Sequence, residues 1–201
     1  LSITELADAC GSGEATIVRF SRRLGLSGYQ ELKISLAQEN SKKTISTSIS
    51  KDDNCFTVFE KVCNDIYCSL EMTKGVLSTK DLEFTAEKIS RADKIVIFGL
   101  GNSASVATDM AHKLLRIGFN AIVYSDNHMQ AIAASHLCAN DIAIGISHSG
   151  SSRDIVEALK LARECGAGTI AITNRGKSPI VKQSDITLYT ASNETEYSIL
   201  A

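Results

Sequence analysis

Apolar residues among the first forty positions recur every three or four residues, which is the period of an amphipathic helix. Glycines at positions 11, 13 and 25 interrupt this period twice, so the pattern predicts three short helices. We expect Ser12 to cap the second helix, because a serine hydroxyl accepts a hydrogen bond from the backbone of a first helical turn. The buried stripe of that helix is predicted to consist of Ile17, Val18, Phe20 and Leu24.

Polar residues dominate positions 40 to 52, and we place a linker there. The helical period of apolar residues then resumes and runs from Phe56 to Leu70. A further helix is expected from about Asp81 to Arg91.

From residue 94 onward the pattern changes to short apolar runs rich in β-branched residues. Helix-like segments separate these runs, which read KIVIFG, NAIVYS, DIAIGIS, GTIAIT and DITLYT. Strands that are apolar on both faces and alternate with helices indicate a parallel sheet with crossover helices. The expected fold is therefore α/β: a three-layer, doubly wound, five-stranded parallel sheet preceded by a small all-α module.

The composition fits a globular protein of the cytoplasm. Of the 201 residues, 44% are hydrophobic and one is proline. No apolar run reaches the roughly 18 residues of a membrane-spanning helix, and the first residues lack the pattern of a signal peptide. The six cysteines form no C-x-x-C pair, so we expect reduced thiols. The net charge of −2 gives no argument for nucleic-acid binding by itself.

The turn after the first predicted strand lies within FGLGNSASVA. Gly99 and Gly101 allow a tight turn and a close approach of the backbone to a ligand. Ser103 is expected to cap the following helix and to donate a hydrogen bond to an anion. In a parallel sheet, ligands bind beyond the carboxyl ends of the strands, which is where this turn lies.

The turn after the third strand reads SHSGSS, from Ser147 to Ser152. We expect Gly150 to turn the chain, and Ser151 with Asp154 to cap the helix that begins at Ser152. The N-terminus of a helix favours an anion, and hydroxyl groups add donors without adding charge. No lysine stands between the glycine and the serines, so this is not a P-loop. The two turns together predict a site for a phosphate and the hydroxyls of a small polyol.

These motifs resemble two families. The region from about residue 81 to 201 resembles a sugar isomerase (SIS) domain, through G-x-G-x-S at Gly99–Ser103 and S-x-S-G-x-S at Ser147–Ser152. Residues 1–39 resemble the helix-turn-helix of the RpiR-type transcription regulators, through LSITELA and ATIVRFSRRLGLSGYQELK. The resemblance implies a DNA-binding transcriptional regulator, not an enzyme, that senses a phosphorylated sugar through its SIS domain and controls sugar-metabolism genes.

The resemblance also implies which residues bind the phosphosugar. His148 lies between two of the serines and is expected to bond a sugar hydroxyl, and Glu194 sits where some SIS enzymes carry a functional carboxylate. The complete set is Asn102, Ser103, Ser147, His148, Ser149, Ser152 and Glu194.

The second helix of a helix-turn-helix enters the major groove of DNA with its N-terminal residues near the base edges. Arginine side chains beside a groove pair with guanine or with phosphate. The third helix is expected to reach the DNA backbone. The predicted DNA contacts are Ser12, Glu14, Thr16, Arg19, Arg22, Arg23, Tyr29 and Lys33.

The resemblance divides the chain into a helix-turn-helix module at 1–40, a linker at 41–54 and a SIS-type domain at 55–201. The family carries a further helix before the first of these segments and another after the last, so we expect this chain to lack both. The implied partners are operator DNA and a sugar phosphate, with a homodimer or tetramer formed through the SIS region. We expect no cofactor, no metal and no membrane partner.

Two other functions stay open. An isomerase needs a base near the substrate carbon. Isomerases of the arabinose-phosphate type carry a lysine in the first turn and an H-G-D-L-G stretch, where this chain has Asn102 and HMQAIAASHL, with His128 and His136. A dinucleotide-binding regulator would use GLGNSA as its fingerprint and Asp126 for the ribose. The serine-rich turn after the third strand is explained by a phosphosugar site and not by a dinucleotide.

Overall fold

The computed structural model describes residues 3–32 and 49–192. The chain forms two compact units, Leu1–Asp65 and Ile66–Ala201. Of the predicted linker at 41–54, residues 41–48 lie outside the described residues.

The first unit contains a pair of short helices, α1 (Ile3–Ala9) and α2 (Glu14–Arg23), and the helical residues 29–32. The buried side chains of these elements are Ala7, Ile17, Ser21 and Leu32. Ser21 is fully buried. Its hydroxyl is satisfied there without water, because Oγ donates to the carbonyl oxygen of Ile17 at 2.9 Å.

The predicted stripe of α2 is partly wrong. Ile17 is buried as expected and Val18 is half-buried, but Phe20 and Leu24 are 53% and 55% exposed. The buried side of the helix runs through Ile17 and Ser21, so a serine takes the inward position one turn after the isoleucine. Leu24 lies past the last turn, as the C-cap residue.

The chain passes from the first unit to the second in a long helix, α3 (Cys55–Val76). Its first turn is capped by Asn54, whose Oδ1 accepts from the backbone N–H of Thr57 at 2.9 Å. The Lys61 ammonium donates to Asp53 Oδ2 at 2.6 Å and is the main reason that the pKa of Asp53 lies below its usual value. A second hydrogen bond, from the Ser50 N–H to the same carboxylate, lowers that pKa further.

The second unit continues with helices and strands in alternation. In chain order the helices are α4 (Thr79–Ser90), α5 (Asn102–Arg116), α6 (Asn127–Ser135) and α7 (Arg153–Glu164). The strands are β1 (Ile95–Gly99), β2 (Ala121–Tyr124), β3 (Ile142–Ile146), β4 (Gly168–Asn174) and β5 (Ile186–Thr190), with a 3₁₀ helix at Pro179–Gln183 before the last strand.

The five strands form one sheet in the order β2-β1-β3-β4-β5, and every pairing is parallel. All residues of β1 and β3 are buried, which explains why both read as continuous apolar runs. Side chains of α6 and α7 cover one face, where Phe98, Ile155 and Leu159 pack together. Residues of α5 cover the other face over Ile97 and Ile144. The predicted three-layer, five-stranded parallel fold is confirmed.

The strand order reverses between β1 and β3. After β1 the chain forms β2 on one side of it, and β3 then pairs with the other side of β1. Gly99 at the end of β1 pairs in register with Ile146 at the end of β3. The turns that follow these two strands therefore begin side by side. In sheets of this order, ligands bind at that reversal point, beyond the carboxyl ends of the strands.

Candidate functional site

The turn after β1 is shaped by a glycine that no other residue could replace without movement. A Cβ on Gly99 would lie 2.6 Å from the carbonyl oxygen of Ser103, so the first turn of α5 packs directly on the strand end. Gly101 is the N-cap of α5, and no side chain caps this helix. Our prediction that Ser103 caps α5 is wrong, because Ser103 already lies inside the first helical turn. Asn102, the first helical residue, is exposed.

The turn after β3 begins inside the protein and ends at its surface. Ser147 is 5% exposed, and its N–H continues the ladder to β4 by donating to the Ile172 carbonyl at 3.1 Å. The N–H of Gly150 then donates to the Ser147 carbonyl, also at 3.1 Å, and closes the turn. Gly150 has φ +62, and a Cβ there would overlap the side chain of Ser178 and lie 2.7 Å from Thr173 Oγ1. Glycine is therefore required at this position, as predicted.

The serines at the end of this turn are arranged differently from our prediction. The N-cap of α7 is Ser152, and no side chain accepts a bond from the first turn of that helix. Ser151 instead donates from Oγ to the Ser149 carbonyl at 3.3 Å, so the predicted cap by Ser151 and Asp154 is wrong. Ser149 and Ser151 are two residues apart, and a serine hydroxyl readily bonds to a backbone group that close in sequence instead of capping a helix. Ser149 is exposed and Ser152 is half-buried.

The helices that start at these two turns differ from their neighbours in how they are capped. Ser78 caps α4 by accepting from the Asp81 N–H at 3.2 Å, and Asp126 caps α6 by accepting from the Met129 N–H at 2.9 Å. In α5 and α7 no side chain caps the first turn. The first N–H groups of a helix need acceptors, and the helix dipole favours a negative one. In α5 the Ser103 and Ala104 N–H groups find acceptors in the Leu100 and Gly101 carbonyls, at 3.1 Å each.

Asp126 bears on the dinucleotide alternative. This alternative assigns its carboxylate to the ribose. In the structure the carboxylate caps α6 by accepting a hydrogen bond from the Met129 N–H. Aspartate is a common residue at the N-cap of a helix, whether or not a ligand binds nearby. Its placement after β2 is therefore explained without a nucleotide.

His148 is held by a residue that the sequence did not point out. The Asn174 side chain at the end of β4 places its Nδ2 3.3 Å from His148 Nε2, and the Asn174 N–H donates to the His148 carbonyl at 3.0 Å. The hydroxyl of Thr173 donates to the same carbonyl at 3.3 Å. The only signal available in the sequence was a polar residue at the end of a strand that neighbours β3.

A second unforeseen residue supports the turn after β1. The side chain of Gln130 in α6 is fully buried, and its Nε2 donates to the Gly99 carbonyl at 3.3 Å and the Tyr124 carbonyl at 2.9 Å. Its Oε1 is buried without a hydrogen-bond partner in the described structure. This amide ties the carboxyl ends of β1 and β2 to the helix behind them.

The two turns themselves carry no formal positive charge. From Gly99 to Ser103 and from Ser147 to Ser152 there is no lysine or arginine. Any anion bound there would be held by N–H and hydroxyl groups, with Arg153 as the first residue of α7. Within residues 3–32 and 49–192, no group of three or more metal-ligating side chains comes together, and no helix there is long and apolar enough to cross a membrane. Glu194 lies outside the described residues.

The predicted DNA-contacting face lies on α2. Its exposed side chains include Glu14 and Thr16 at the N-terminal end and Arg19, Arg22 and Arg23 further along. Tyr29, at the start of the next helical segment, is half-buried, and Lys33 lies outside the described residues.

Ser12 is placed differently from our prediction. The N-cap of α2 is Gly13, and Ser12 Oγ is buried without a hydrogen-bond partner in the part of the chain that the structure describes. The Ser12 N–H donates to the Ala7 carbonyl at 2.9 Å. The cap prediction is wrong, and a DNA contact by the Ser12 hydroxyl would require that side chain to turn outward.

Two family models match the chain. Residues 1–43 match the model described as a helix-turn-helix domain of the rpiR family, and residues 88–201 match the SIS domain. An uncharacterized HTH-type transcriptional regulator of Caldanaerobacter subterraneus is 40% identical over 199 residues, which cover 98% of this chain and 71% of that protein.

Two solved structures are also similar to this chain. The NanR protein of Vibrio vulnificus, complexed with ManNAc-6P, has 29% sequence identity and a TM-score of 0.65, covering 94% of this chain and 67% of its own. The sugar isomerase domain of an RpiR transcription factor from Sphaerobacter thermophilus has 32% identity and a TM-score of 0.64, covering 68% and 76%.

Proposed function

The chain belongs to the rpiR family of helix-turn-helix transcriptional regulators with a SIS domain, and from that membership we propose that it senses a phosphorylated sugar between β1 and β3. Binding of the sugar phosphate would then alter how the helix-turn-helix module engages operator DNA and controls genes of sugar metabolism.

One observation carries the proposal of a phosphate site. Two helices, α5 and α7, follow the adjacent ends of β1 and β3 at the reversal point of the sheet, and neither has a side-chain cap. The dipoles of both helices favour an anion at their N-termini, although in α5 the Ser103 and Ala104 N–H groups already donate to the Leu100 and Gly101 carbonyls. A phosphate placed there would replace the missing caps. That ManNAc-6P is the ligand complexed with NanR, a relative of the same fold, agrees with this.

The proposed ligand contacts keep the residues predicted from the sequence. We assign the phosphate to the N-terminal turns of α5 and α7, and therefore to Asn102, Ser103 and Ser152. Ser147, His148 and Ser149 follow β3 and are assigned to the phosphate and the sugar hydroxyls. Glu194 remains part of the proposal on the ground of the resemblance alone.

We further propose that the exposed face of α2 contacts DNA through Glu14, Thr16, Arg19, Arg22 and Arg23. The arginines place three positive charges on one short helix, whose only acidic residue in the first turn is Glu14. Ser12, Tyr29 and Lys33 are kept as flanking contacts. Arginine in or beside the major groove pairs bidentately with guanine or with a phosphate.

A homodimer or a tetramer fits both the symmetry of operators and the surface of α3. Regulators of this class read two half-sites with two copies of the recognition helix. On α3 the side chains of Phe56, Phe59, Tyr67 and Leu70 follow one side of the helix and are between 61% and 70% exposed. A contiguous stripe of large apolar side chains marks an interaction surface. We propose that a second copy of the chain covers it.

The proposed domain boundaries are those predicted from the sequence, whereas the division into compact units falls within α3, after Asp65. We propose a DNA-binding module at 1–40, a linker at 41–54 and a phosphosugar-binding domain at 55–201, in a protein that works in the cytoplasm beside its DNA.

We propose that the protein is not an enzyme. An isomerase needs a base at the substrate carbon. His136 Nδ1 lies 2.8 Å from the Ile132 carbonyl of its own helix, and His148 Nε2 faces Asn174. Coupled assays with aldose and ketose phosphates would detect turnover, and turnover that disappears in His148→Ala would identify an isomerase.

The proposed function is tested by a thermal-shift screen of the whole protein against a panel of sugar phosphates and their unphosphorylated sugars. A ligand that binds only the folded protein raises its melting temperature by mass action. We expect at least one phosphorylated sugar to raise it, and the matching sugar without phosphate to leave it unchanged. A panel in which NAD raises the melting temperature and no sugar phosphate does would favour the dinucleotide alternative.

A further inference from the structure

The turn after β3 is connected to the end of β5 by one side-chain amide. Asn174 Oδ1 accepts from the Arg175 N–H at 2.9 Å, and its Nδ2 donates to the Ser192 carbonyl at 3.1 Å. These two bonds fix which end of the amide is the donor. The remaining N–H of Nδ2 therefore points to His148 Nε2, 3.3 Å away, which acts as the acceptor.

The same segment after β5 is connected to α3. The hydroxyl of Thr73 accepts from the Ala191 N–H at 3.0 Å and donates to the Ala191 carbonyl at 3.2 Å. Thr73 thus uses its hydroxyl in both directions on one backbone residue, 118 positions further along the chain. Ala191 is 8% exposed, so water does not easily replace either bond.

These bonds form a continuous series. It leads from His148 in the proposed ligand turn through Asn174 to Ser192, along the backbone to Ala191, and across to Thr73. α3, which carries Thr73, begins at Cys55 in the first compact unit, the one that contains the helix-turn-helix module.

We propose that Asn174 and Thr73 are positioning residues that couple the ligand turn to α3. A ligand hydroxyl that bonds to His148 changes the orientation of the imidazole, and Asn174 passes this change to the segment after β5. Thr73 then makes the position of α3 depend on that segment. The proposal rests on the proposed function for the identity of the ligand, but the coupling itself involves only residues of this chain.

The series has the two properties that such coupling needs. Each link is directional, because Asn174 has every polar hydrogen of its amide engaged and cannot adapt to a shifted His148 without breaking a bond. The links also join parts of the chain that are remote in sequence, so they change only if the tertiary arrangement changes. The energetic coupling is measured between the two ends of the series, at His148 and Thr73.

The first measurement needs no ligand. His148→Ala, Thr73→Val and the double variant of the whole protein are compared by urea unfolding. Residues without shared partners have additive effects, so non-additivity reports coupling. We expect the double variant to lose less stability than the sum of the two single losses. The control pairs His148→Ala with Thr108→Val, which removes a hydroxyl that bonds only within α5, to the Ala104 carbonyl, and should be additive. Additivity in the Thr73 cycle overturns the proposal.

The second measurement adds a probe. Amide hydrogen exchange is followed by mass spectrometry with and without N-acetylmannosamine 6-phosphate, and with inorganic phosphate as the simpler anion. In the unmodified protein we expect slower exchange at residues 145–152, 186–192 and 69–77. In Thr73→Val the first region should still respond, and the response at 69–77 should disappear; Thr108→Val should behave as the unmodified protein does. A response at 69–77 that survives Thr73→Val overturns the coupling.

The two failures are distinguishable. If neither probe changes exchange anywhere, the result counts against the proposed phosphosugar site and not against the coupling. The coupling is then tested by the urea unfolding cycle of His148→Ala and Thr73→Val. If exchange slows at 145–152 but never at 69–77 in the unmodified protein, the ligand site stands and the coupling is overturned.

Discussion

The side-chain amide of Gln130 donates from Nε2 to the backbone carbonyl of Tyr124 at 2.9 Å. The same Nε2 donates to Gly99, the last residue of β1, and the side chain is fully buried. The proposed ligand turn after β1 therefore starts from a carbonyl whose position is set by α6. Fixing the strand end in this way supports the N-terminus of α5, where we propose that an anion binds.

Replacing Gln130 by leucine should destabilise the fold. Leucine has a similar volume, but it leaves the Gly99 and Tyr124 carbonyls without their donor. We expect the free energy of unfolding to fall by about 1–3 kcal/mol, the usual cost of unsatisfied buried groups. Urea unfolding measures it. Gln30→Leu is the matched control, because Gln30 is exposed and its replacement should change stability by less than about 0.5 kcal/mol. Equal effects of the two changes would contradict the role given to Gln130.

The sheet was predictable from the sequence because its strands are buried on both faces. β1 and β3 consist entirely of buried residues, so their apolar runs are not interrupted and cannot be mistaken for an amphipathic helix. The positions of Gly99 and Gly150 were also predictable, because only glycine fits a strand end against a helix or a positive φ. Side-chain caps were less predictable, because the N-cap can fall one or two residues before or after the expected serine. The N-cap of α5 is Gly101 instead of Ser103, and the N-cap of α7 is Ser152 instead of Ser151.

The supporting residues could not be found by motif. Asn174 and Gln130 act through bonds to residues 26 and 31 positions away, and a single polar side chain at a strand end or in a helix has no sequence pattern of its own. The exposed Phe20 shows the converse. Its apolar character predicted burial, but the inward position of α2 is taken by Ser21, which satisfies its own hydroxyl on Ile17.

Gly150→Ala should disrupt the turn after β3 more than its backbone angle alone explains. Alanine at φ +62 is strained, and its Cβ would also meet Ser178 and Thr173. We expect a loss of about 1–3 kcal/mol of stability from the strain, a further loss from the overlap, and weaker binding of the sugar phosphate. Gly166→Ala is the control, because Gly166 also has a positive φ, +92, with open space around it. If both variants lose the same stability, the packing of Gly150 against Ser178 is not important.

Removing the paired arginines of α2 should weaken DNA binding in a salt-dependent way. We expect Arg22→Ala combined with Arg23→Ala to lower operator affinity. The slope of log affinity against log salt should also fall, by about 0.9 for each DNA phosphate that an arginine no longer neutralises. Titration of the full-length protein on operator DNA at several salt concentrations measures both. The control, Arg91→Ala, removes an exposed arginine beyond the end of α4 and should leave the affinity and the salt slope unchanged. Wild-type affinity and slope in the double variant would show that this face of α2 does not read DNA.

The central claim is that a phosphate is held at the uncapped N-termini of α5 and α7, and isothermal calorimetry tests it most directly. The titrants are the sugar phosphate with the largest thermal shift and the same sugar without phosphate, and the proteins are the wild type, Ser152→Ala and the control Ser90→Ala. Ser152 is the N-cap of α7 and makes no side-chain cap bond, whereas Ser90 bonds only to Glu87 at the far end of α4. We predict binding of the phosphorylated sugar alone, weakened about tenfold or more in Ser152→Ala, as expected for a hydrogen bond to a charged group, and unchanged in Ser90→Ala. Equal affinity for the two forms of the sugar, or a Ser152→Ala protein that binds as the wild type does, would contradict the account.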